Sequence, residues 1–179
     1  ELFCELVFCL LTPQSKARSS WTALELLKSE DLIRNGSEQD IAAMINIVRF
    51  RNNKAKYIVE TRNKIYSPNN FIVRHLINTE SNTSVIRDWL VANIKGMGMK
   101  EASQYLRNIG FGEKIAILDR HILKHLMKHG VIETIPISIS KKKYINIEES
   151  MIEFSNSVGI PISHLNLIFW YMETGEIFK

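Results

Sequence analysis

Apolar residues recur at helical spacing along nearly the whole chain, and this periodicity restricts the possible folds more than any other sequence feature. The 179 residues include only eight glycines and four prolines, so few positions interrupt a helix. The run 135–139 resembles a strand, but Pro136 lies inside it, and we interpret it as a loop. The sequence therefore predicts an all-α fold of about ten short helices.

Proline, capping residues and short turns bound the predicted helices. The first helix begins at or before Glu1, inside an amphipathic pattern, and ends near Pro13. Ser37 begins a helix that runs toward Val48, and another helix runs over 53–65. The remaining predicted helices are 20–28, 70–78, 82–94, 99–109, 119–129, 143–158 and 163–173, with a turn at Pro68, Asn69 and Asn70.

Composition excludes several classes of protein. With 45% hydrophobic and 23% charged residues, the chain is typical of a globular protein and too apolar for disorder. Its two cysteines, Cys4 and Cys9, cannot form a disulfide framework or a four-cysteine metal site, and they indicate a reducing compartment. The longest apolar stretch, 6–11, is far shorter than the roughly 20 residues that span a membrane. We expect no membrane association and a single domain over 1–179, which is long enough for two lobes.

Positive charge is concentrated in two segments. Residues 41–66 carry six Lys or Arg against one acidic residue, and residues 91–130 carry seven against three, whereas the whole chain has a net charge of only +4. Two basic segments on an otherwise acidic chain indicate a surface that binds a polyanion. A basic surface without a ligand is the alternative that charge alone leaves open.

The most specific motif is a pair of amphipathic helices at about 86–109, joined by two glycines one residue apart. Glycine at Gly96 and Gly98 permits a positive φ and a close approach of the backbone to a ligand. The backbone N–H groups that begin the second helix are then suited to binding phosphate. A tight hairpin that serves only packing is the structural alternative.

Lys100 lies in the first turn of the second hairpin helix. At about 100° per residue, its side chain falls opposite the predicted apolar stripe, which consists of Ala102, Tyr105, Leu106 and Ile109. The geometry therefore predicts an outward lysine at the helix end where a cation is unfavourable. An amine in this position is a candidate nucleophile, and an ordinary surface lysine is the alternative.

Asp119 follows the hydrophobic run 115–118 and precedes an amphipathic helix. This position is typical of an N-cap. A carboxylate fixed at a helix start can also direct one oxygen into a cleft. We therefore treat Asp119 both as a cap and as a candidate catalytic group.

Together, these motifs resemble the signature of the helix-hairpin-helix DNA glycosylases. Gly96-x-Gly98-x-Lys100, followed by Leu118-Asp119-Arg120-His121, is similar to their hairpin, glycine-rich loop and aspartate. A lysine at that position resembles the bifunctional members, which are also AP lyases. Blocks at 11–14, 49–59, 94–110, 116–123 and 170–179 resemble the archaeal-type (type 2) 8-oxoguanine DNA glycosylase/AP lyases. The resemblance implies an all-α fold with two helical lobes around a DNA-binding cleft.

The resemblance also excludes some relatives. Endonuclease III and the adenine glycosylases usually carry a C-terminal four-cysteine iron–sulfur loop, and no cysteine follows Cys9 here. The eukaryotic-type enzymes carry an additional N-terminal β-domain, which the helical pattern does not accommodate. We expect no iron–sulfur cluster and no other cofactor.

The resemblance implies a reaction on a nucleotide flipped out of the duplex. The lysine matched by Lys100 attacks C1′ of the sugar, expels the base and forms a Schiff base, and β-elimination then cuts the strand. The aspartate matched by Asp119 activates the nucleophile or stabilises positive charge on the sugar. These roles imply base excision repair on double-stranded DNA by a monomeric, cytoplasmic prokaryotic enzyme.

The resemblance assigns base recognition to both ends of the chain. The family holds the purine between two aromatic rings and contacts it with a C-terminal lysine, at the positions of Phe50, Trp170 and Lys179. Arg49 and Arg51 flank Phe50, which suits phosphate contacts beside a stacked base. The structural alternatives are a second buried helix face for Trp170 and a frayed terminus for Lys179.

Two positions depart from the matched family. Asn166 stands where the family usually has an aspartate, so one charged contact expected in the base pocket is replaced by an amide. Gln14 stands where the family often has asparagine, and it resembles the wedge residue that endonuclease III inserts into the gap left by the flipped base. We assign Asn166 to base recognition and Gln14 to DNA binding.

Other functions are compatible with the sequence. A helix-hairpin-helix module that binds DNA without catalysis requires neither Lys100 nor Asp119. A glycosylase for another oxidised base is compatible with Asn166. His121, His125 and His129 share one helix face, but no acidic third ligand follows them, and we predict no metal site.

Overall fold

The computed structural model describes residues 1–67, 70–80 and 82–178. In this part of the chain the backbone forms helices and one short antiparallel pair of strands. The elements are α1 (Leu2–Leu11), α2 (Ala17–Ser29), α3 (Leu32–Asn35), α4 (Glu38–Met44), α5 (Arg51–Ile65), β1 (Tyr66–Ser67), β2 (Asn70–Phe71), α6 (Ile72–Thr79), α7 (Thr83–Asn93), α8 (Met99–Asn108), α9 (Arg120–Lys128), α10 (Lys141–Val158) and α11 (Ile162–Thr174). The prediction of an all-α fold is confirmed.

The chain divides into two compact units, Glu1–Tyr105 and Leu106–Lys179, which we call the first and second units. The boundary falls inside α8. That residues 1–179 act as one domain stays a prediction.

Helix α1 forms the centre of the first unit. Seven of its ten residues are buried, and they occur on all sides of the helix. A helix that is apolar all round must be surrounded by others. Both α2 and α5 pack against α1, and the segment that follows α1 is therefore held beside α5.

The termini of several helices follow local capping chemistry. Ser37 caps α4 with a capping box: its Oγ accepts a hydrogen bond from the Asp40 N–H at 3.2 Å, and Asp40 Oδ2 accepts one from the Ser37 N–H at 3.1 Å. The helix ends at Met44, earlier than the predicted Val48. Asp119 caps α9, and Gly159 and Gly175 end α10 and α11 in left-handed conformation.

Three short elements were not predicted. Helix α3 is a single turn of four residues, too short to produce a periodic pattern. The strands β1 and β2, of two residues each, flank the predicted turn, of which Pro68 and Asn69 lie outside the described residues.

The run 135–139 forms neither helix nor strand, so its interpretation as a loop is confirmed. None of the described helices is both long and apolar enough to span a membrane.

Candidate active site

The predicted hairpin consists of α7, a turn over 94–98, and α8. Gly96 has a φ of +83°, and a Cβ built on it would lie 2.8 Å from Cε2 of Tyr57 on α5. Only glycine fits, because the backbone conformation and the Tyr57 ring both exclude a side chain. The positive φ that glycine permits is used at Gly96 and not at Gly98.

Lys100 is the second residue of α8, and 29% of its side chain is exposed. Its Nζ lies 3.3 Å from Oε1 of Glu101, so an amine and a carboxylate meet at the start of the helix. Tyr105 and Leu106 are fully buried, which confirms the predicted stripe, whereas Ile109 is only half-buried. Lys100 lies off this stripe, although it is half-buried rather than fully outward.

A cleft of about 260 Å³ in the first unit collects three of the predicted site residues. It is lined by Leu10, Pro13, Gln14, Phe50, Asn53, Lys54, Tyr57 and Gly96. Gln14 has a φ of +54° and Phe50 a φ of +58°, a region that residues other than glycine seldom occupy. The Phe50 ring is 54% exposed, and the Arg49 guanidinium carbon lies 5.5 Å from its centroid. The cleft therefore presents an amide and an aromatic face together.

Arg51 lies elsewhere. It is the exposed first residue of α5 and lines a second, open cleft together with residues of α4. The structure does not bring it to the cleft that Phe50 lines. Its contact with DNA stays a prediction.

Lys54 is a site residue that the sequence analysis missed. It is 4% exposed and lines the same cleft as Gln14 and Phe50. Burial, together with the positive charges of Arg49 and Lys100, lowers the pKa of Lys54 to about 8. A signal was present, because Lys54 falls in register with the buried stripe Ile58, Thr61 and Ile65 of α5.

In the second unit, Asp119 is half-buried at the start of α9. Its Oδ1 accepts hydrogen bonds from the backbone N–H groups of His121 at 2.8 Å and Ile122 at 2.9 Å. Within the described part of this unit, Oδ2 has no hydrogen bond. The predicted cap is therefore present, and it uses only one of the two carboxylate oxygens.

The segment before Asp119 is buried without regular secondary structure, so side chains must satisfy its backbone. Glu148 accepts a hydrogen bond from the Ala116 N–H at 2.7 Å, and the Tyr144 hydroxyl accepts one from the Leu118 N–H at 3.2 Å. Asn166 Oδ1 accepts one from the Ile117 N–H at 3.1 Å, while its Nδ2 donates to the Ile162 carbonyl at 2.9 Å. Asn166 is 3% exposed and supports this segment; its contact with a base stays a prediction.

Trp170 is half-buried on α11, with its ring edge-to-face against the His121 ring at 5.2 Å between centroids. Its indole N–H is buried and has no hydrogen-bond partner among the described residues. The buried stripe of α11 is Ile162, Leu165, Asn166 and Phe169. Trp170 lies beside this stripe rather than in it, and its stacking on a base stays a prediction.

His121 and His125 on α9, and His129 directly after it, all contact other side chains of the protein. Glu173 accepts a hydrogen bond from Lys124 at 2.8 Å, which lowers the pKa of the Glu173 carboxyl. His125 Nε2 lies 3.1 Å from Glu173 Oε1 without hydrogen-bond alignment, and burial lowers the pKa of His125. Throughout residues 1–67, 70–80 and 82–178, no three His, Cys, Asp or Glu side chains group as metal ligands.

The C-terminal segment turns at Gly175. Thr174 Oγ1 donates a hydrogen bond to either the Trp170 carbonyl at 2.8 Å or the Glu176 carbonyl at 2.9 Å. Ile177 is 62% exposed, and Phe178 is half-buried. Lys179, assigned to base recognition from the sequence, lies outside the described residues.

Comparisons with known proteins agree over most or all of the chain. The family model described as 8-oxoguanine DNA glycosylase matches residues 1–160. A relative from Fusobacterium nucleatum, named 8-oxoguanine DNA glycosylase/AP lyase, is 49% identical over 179 residues, which are 100% of this chain and 82% of the relative. A relative of the same name from Korarchaeum cryptofilum is 42% identical over 181 residues, covering 100% of this chain and 83% of the relative.

Two solved structures extend the comparison to the fold. The 8-oxoguanine DNA glycosylase of Thermotoga maritima superposes with a TM-score of 0.86 at 32% identity, covering 99% of this chain and 82% of that one. The Methanocaldococcus jannaschii 8-oxoguanine glycosylase/lyase, solved in complex with a 15mer DNA containing 8-oxoguanine, gives 0.85 at 34% identity, covering 99% and 83%. With its glycine hairpin, its lysine at the start of α8 and its capping aspartate, this chain belongs to the helix-hairpin-helix 8-oxoguanine DNA glycosylase family.

Proposed function

We propose that this chain is a bifunctional DNA glycosylase and AP lyase that removes 8-oxoguanine from double-stranded DNA in base excision repair. The observation that carries the proposal is the position of Lys100, a partly exposed amine at the start of α8 directly after the hairpin turn. A hairpin that only binds DNA requires no such amine. Relatives that match over the full length of this chain have the names of glycosylase/AP lyases, which supports the same activity.

In the proposed reaction, Lys100 is the nucleophile. Its neutral amine forms a bond to C1′ as the C1′–N9 bond breaks, and the departing base takes the electron pair and then a proton. The attacking nitrogen loses one proton and the ring oxygen O4′ takes one as the C1′–O4′ bond breaks, which opens the sugar ring and leaves a protonated Schiff base between Nζ and C1′. Loss of a proton from C2′ then breaks the C3′–O bond and cuts the strand. In the resting protein, the Glu101 carboxylate 3.3 Å from Nζ holds the amine at the helix start.

Asp119 supplies negative charge to the sugar. Departure of the base generates oxocarbenium-like positive charge, and a fixed carboxylate stabilises such charge without reorganisation. The cap fixes Oδ1 through two backbone N–H groups, and Oδ2 is without a hydrogen bond in the described part of the second unit. One residue therefore combines the two roles expected from the sequence.

We assign base recognition to two aromatic side chains and one amide. Phe50 and Trp170 supply the two aromatic faces, and Gln14 fills the gap in the duplex. The exposed Phe50 ring and the unpartnered indole N–H of Trp170 support these roles. We also assign Lys179 and Asn166 to base recognition. Contacts to DNA phosphates are assigned to Arg49, Arg51, Gly96 and Gly98. The proposed active form is a cytoplasmic monomer.

The proposal is tested with duplexes that each carry one defined lesion: 8-oxoguanine, an oxidised pyrimidine, or an abasic site. Borohydride is added to trap any covalent complex. We expect trapping and strand cutting with 8-oxoguanine and with the abasic site. Duplex binding without either product identifies a non-catalytic binding module, and trapping with the pyrimidine but not with 8-oxoguanine identifies another glycosylase.

A further inference from the structure

The buried amine of Lys54 donates its hydrogen bonds to one short segment of chain, residues 11–15. Its Nζ donates hydrogen bonds to the Leu11 carbonyl at 2.6 Å, the Pro13 carbonyl at 2.9 Å and Ser15 Oγ at 2.9 Å. An ammonium has three N–H groups, so these three acceptors match its donors. The acceptors surround Gln14, which is the proposed wedge.

The same lysine is bonded to the segment that carries Phe50. The Lys54 backbone N–H donates to the Phe50 carbonyl at 3.0 Å, in the first turn of α5. Ser15 Oγ, which accepts from Lys54 Nζ, also accepts from the Arg49 N–H at 3.0 Å. Two residues, Ser15 and Lys54, thus join the backbone around Gln14 to the backbone around Phe50.

Gln14 and Phe50 have left-handed backbone conformations that their side chains disfavour. Such conformations persist where the surroundings hold them, and they concentrate at functional sites. Here the surroundings are a buried cation and its acceptors. The two strained residues line one cleft. Lys54 is hydrogen-bonded to both of their segments, through its Nζ to the Pro13 carbonyl and through its backbone N–H to the Phe50 carbonyl.

We propose that Lys54 is a positioning residue for base flipping, which fixes the wedge Gln14 and the stacking ring Phe50 relative to each other. The inference rests on the proposed function. Flipping requires the gap to be filled while the extruded base is captured, so both side chains must reach the DNA in one geometry. Lys54 is 4% exposed and acts through these two residues rather than on the DNA.

The test compares four variants. Lys54→Met removes the hydrogen bonds of the amine and keeps most of the length of the side chain. Lys54→Arg keeps a cation with several donors, and Ser15→Ala removes only the bridging hydroxyl. Lys28→Met, on the exposed face of α2, is the control for loss of one positive charge. Thermal melting reports whether each variant is folded.

Two reactions are measured under single turnover: excision of 8-oxoguanine from a duplex, and strand cutting at a pre-formed abasic site. The second needs no base to be captured. We expect Lys54→Met to lower excision about 30-fold or more, since a displacement of about 1 Å can cost on the order of 10²-fold. Strand cutting should change by less than about threefold. Lys54→Arg should recover part of the excision, and Ser15→Ala should lower excision by about fivefold.

The outcomes separate the inference from the proposed function. A wild-type protein that neither excises 8-oxoguanine nor cuts abasic sites refutes the proposed function, and the inference with it. If the wild type is active and a folded Lys54→Met excises at the wild-type rate, the inference is overturned. Equal losses in both reactions overturn it as well, because they indicate general destabilisation. Should Lys54→Met fail to fold, Ser15→Ala decides by the same criteria.

Discussion

Two lysines of the first unit, Lys54 and Lys100, differ in what surrounds their amines. Lys54 is buried with three oxygen acceptors, whereas Lys100 is partly exposed beside one carboxylate. All N–H donors of the Lys54 amine bind backbone and hydroxyl oxygens, so this amine stabilises the local structure. A partly exposed amine with a single carboxylate partner can exchange that partner for a substrate. Chemical reactivity is therefore expected at Lys100.

We predict that Lys100→Gln abolishes borohydride trapping and strand cutting, because glutamine cannot form a Schiff base. Duplex binding should stay within about tenfold, since the other cations still neutralise phosphates. A gel assay for the covalent complex and fluorescence anisotropy with labelled DNA measure the two effects. Lys95→Gln, in the same hairpin, is the matched control and should still be trapped. Full strand cutting by purified Lys100→Gln contradicts the role of nucleophile.

We predict that Asp119→Asn slows base release by on the order of 10²-fold or more, because it removes the negative charge that we propose stabilises the sugar. Its stability should fall by about 1 kcal/mol at most, since asparagine caps helices as well as aspartate does. Single-turnover kinetics and thermal melting measure the two quantities separately. A folded variant with wild-type turnover leaves Asp119 as a cap only.

The lowered pKa of Lys54, about 8 against its usual 10.5, links stability to pH. Between these values the folded protein binds fewer protons at Lys54 than the unfolded chain does. The contribution of Lys54 to the free energy of unfolding therefore rises as the pH rises. Arg49 and Lys100 are the charges that act on it. We predict that the difference in melting temperature between wild type and Lys54→Met shifts in favour of wild type from pH 8 to pH 10. A constant difference over this range refutes the prediction.

At the scale of elements, the hairpin depends on one position where its turn touches α5. Gly96 combines a φ of +83° with a Cβ position that overlaps the Tyr57 ring. The turn can therefore approach α5 only because a side chain is absent. Gly110 has a φ of +94° with nothing within 4 Å of a built Cβ.

We predict that Gly96→Ala lowers the free energy of unfolding by about 2–5 kcal/mol, the sum of backbone strain and overpacking. Gly110→Ala should lose only about 1–2 kcal/mol, because it carries the backbone strain alone. Urea unfolding measures both. Equal losses in the two variants would show that the Tyr57 ring yields to the added methyl group.

Elements of two or more turns were predictable because their signals are local. Apolar spacing and capping residues such as Ser37 and Asp119 mark them without reference to the rest of the chain. The side-chain hydrogen bonds to the backbone of 115–118 were not predictable, because the accepting residues lie 26 to 49 residues away in sequence. Helical spacing in the sequence predicts a buried stripe of Leu165, Ile168, Phe169 and Met172 on α11, and this prediction is wrong at Ile168 and Met172, which are exposed.

The candidate site was likewise predictable only where its signals are local in sequence. Lys100, Asp119 and Gly96 are candidates because a motif at short spacing marks them in the sequence. Lys54 was missed because its burial depends on carbonyl groups 41 and 43 residues away. Lysine is seldom buried, and only those distant acceptors make it stable there.

At the scale of the whole molecule, the site residues are spread over both compact units. Gln14, Phe50 and Lys100 belong to the first, and Asp119 and Trp170 belong to the second. The relatives match over the whole chain rather than over one unit. The activity is therefore expected of the intact chain.

We predict that duplex binding weakens steeply with salt, because much of its free energy comes from counterions released from phosphates. Each phosphate contact contributes about 0.9 to the slope of log K against log salt. Arg49→Gln and Arg51→Gln should each reduce that slope by about 0.9, whereas Lys28→Gln, on the exposed face of α2, should not change it. Anisotropy titrations at several salt concentrations test this. An unchanged slope in both arginine variants removes them from the DNA interface.

The left-handed backbone at Gln14 and Phe50 has a consequence for protein engineering. Gln14→Gly and Phe50→Gly would relieve about 1–2 kcal/mol of strain each, against a loss of about 0.4–1 kcal/mol from greater freedom of the unfolded chain. Selection for heat resistance would therefore favour glycine at both positions, while selection for repair would reject it. Heat-selected libraries of this protein should be screened for excision at every round, since their most thermostable members are expected to include inactive ones.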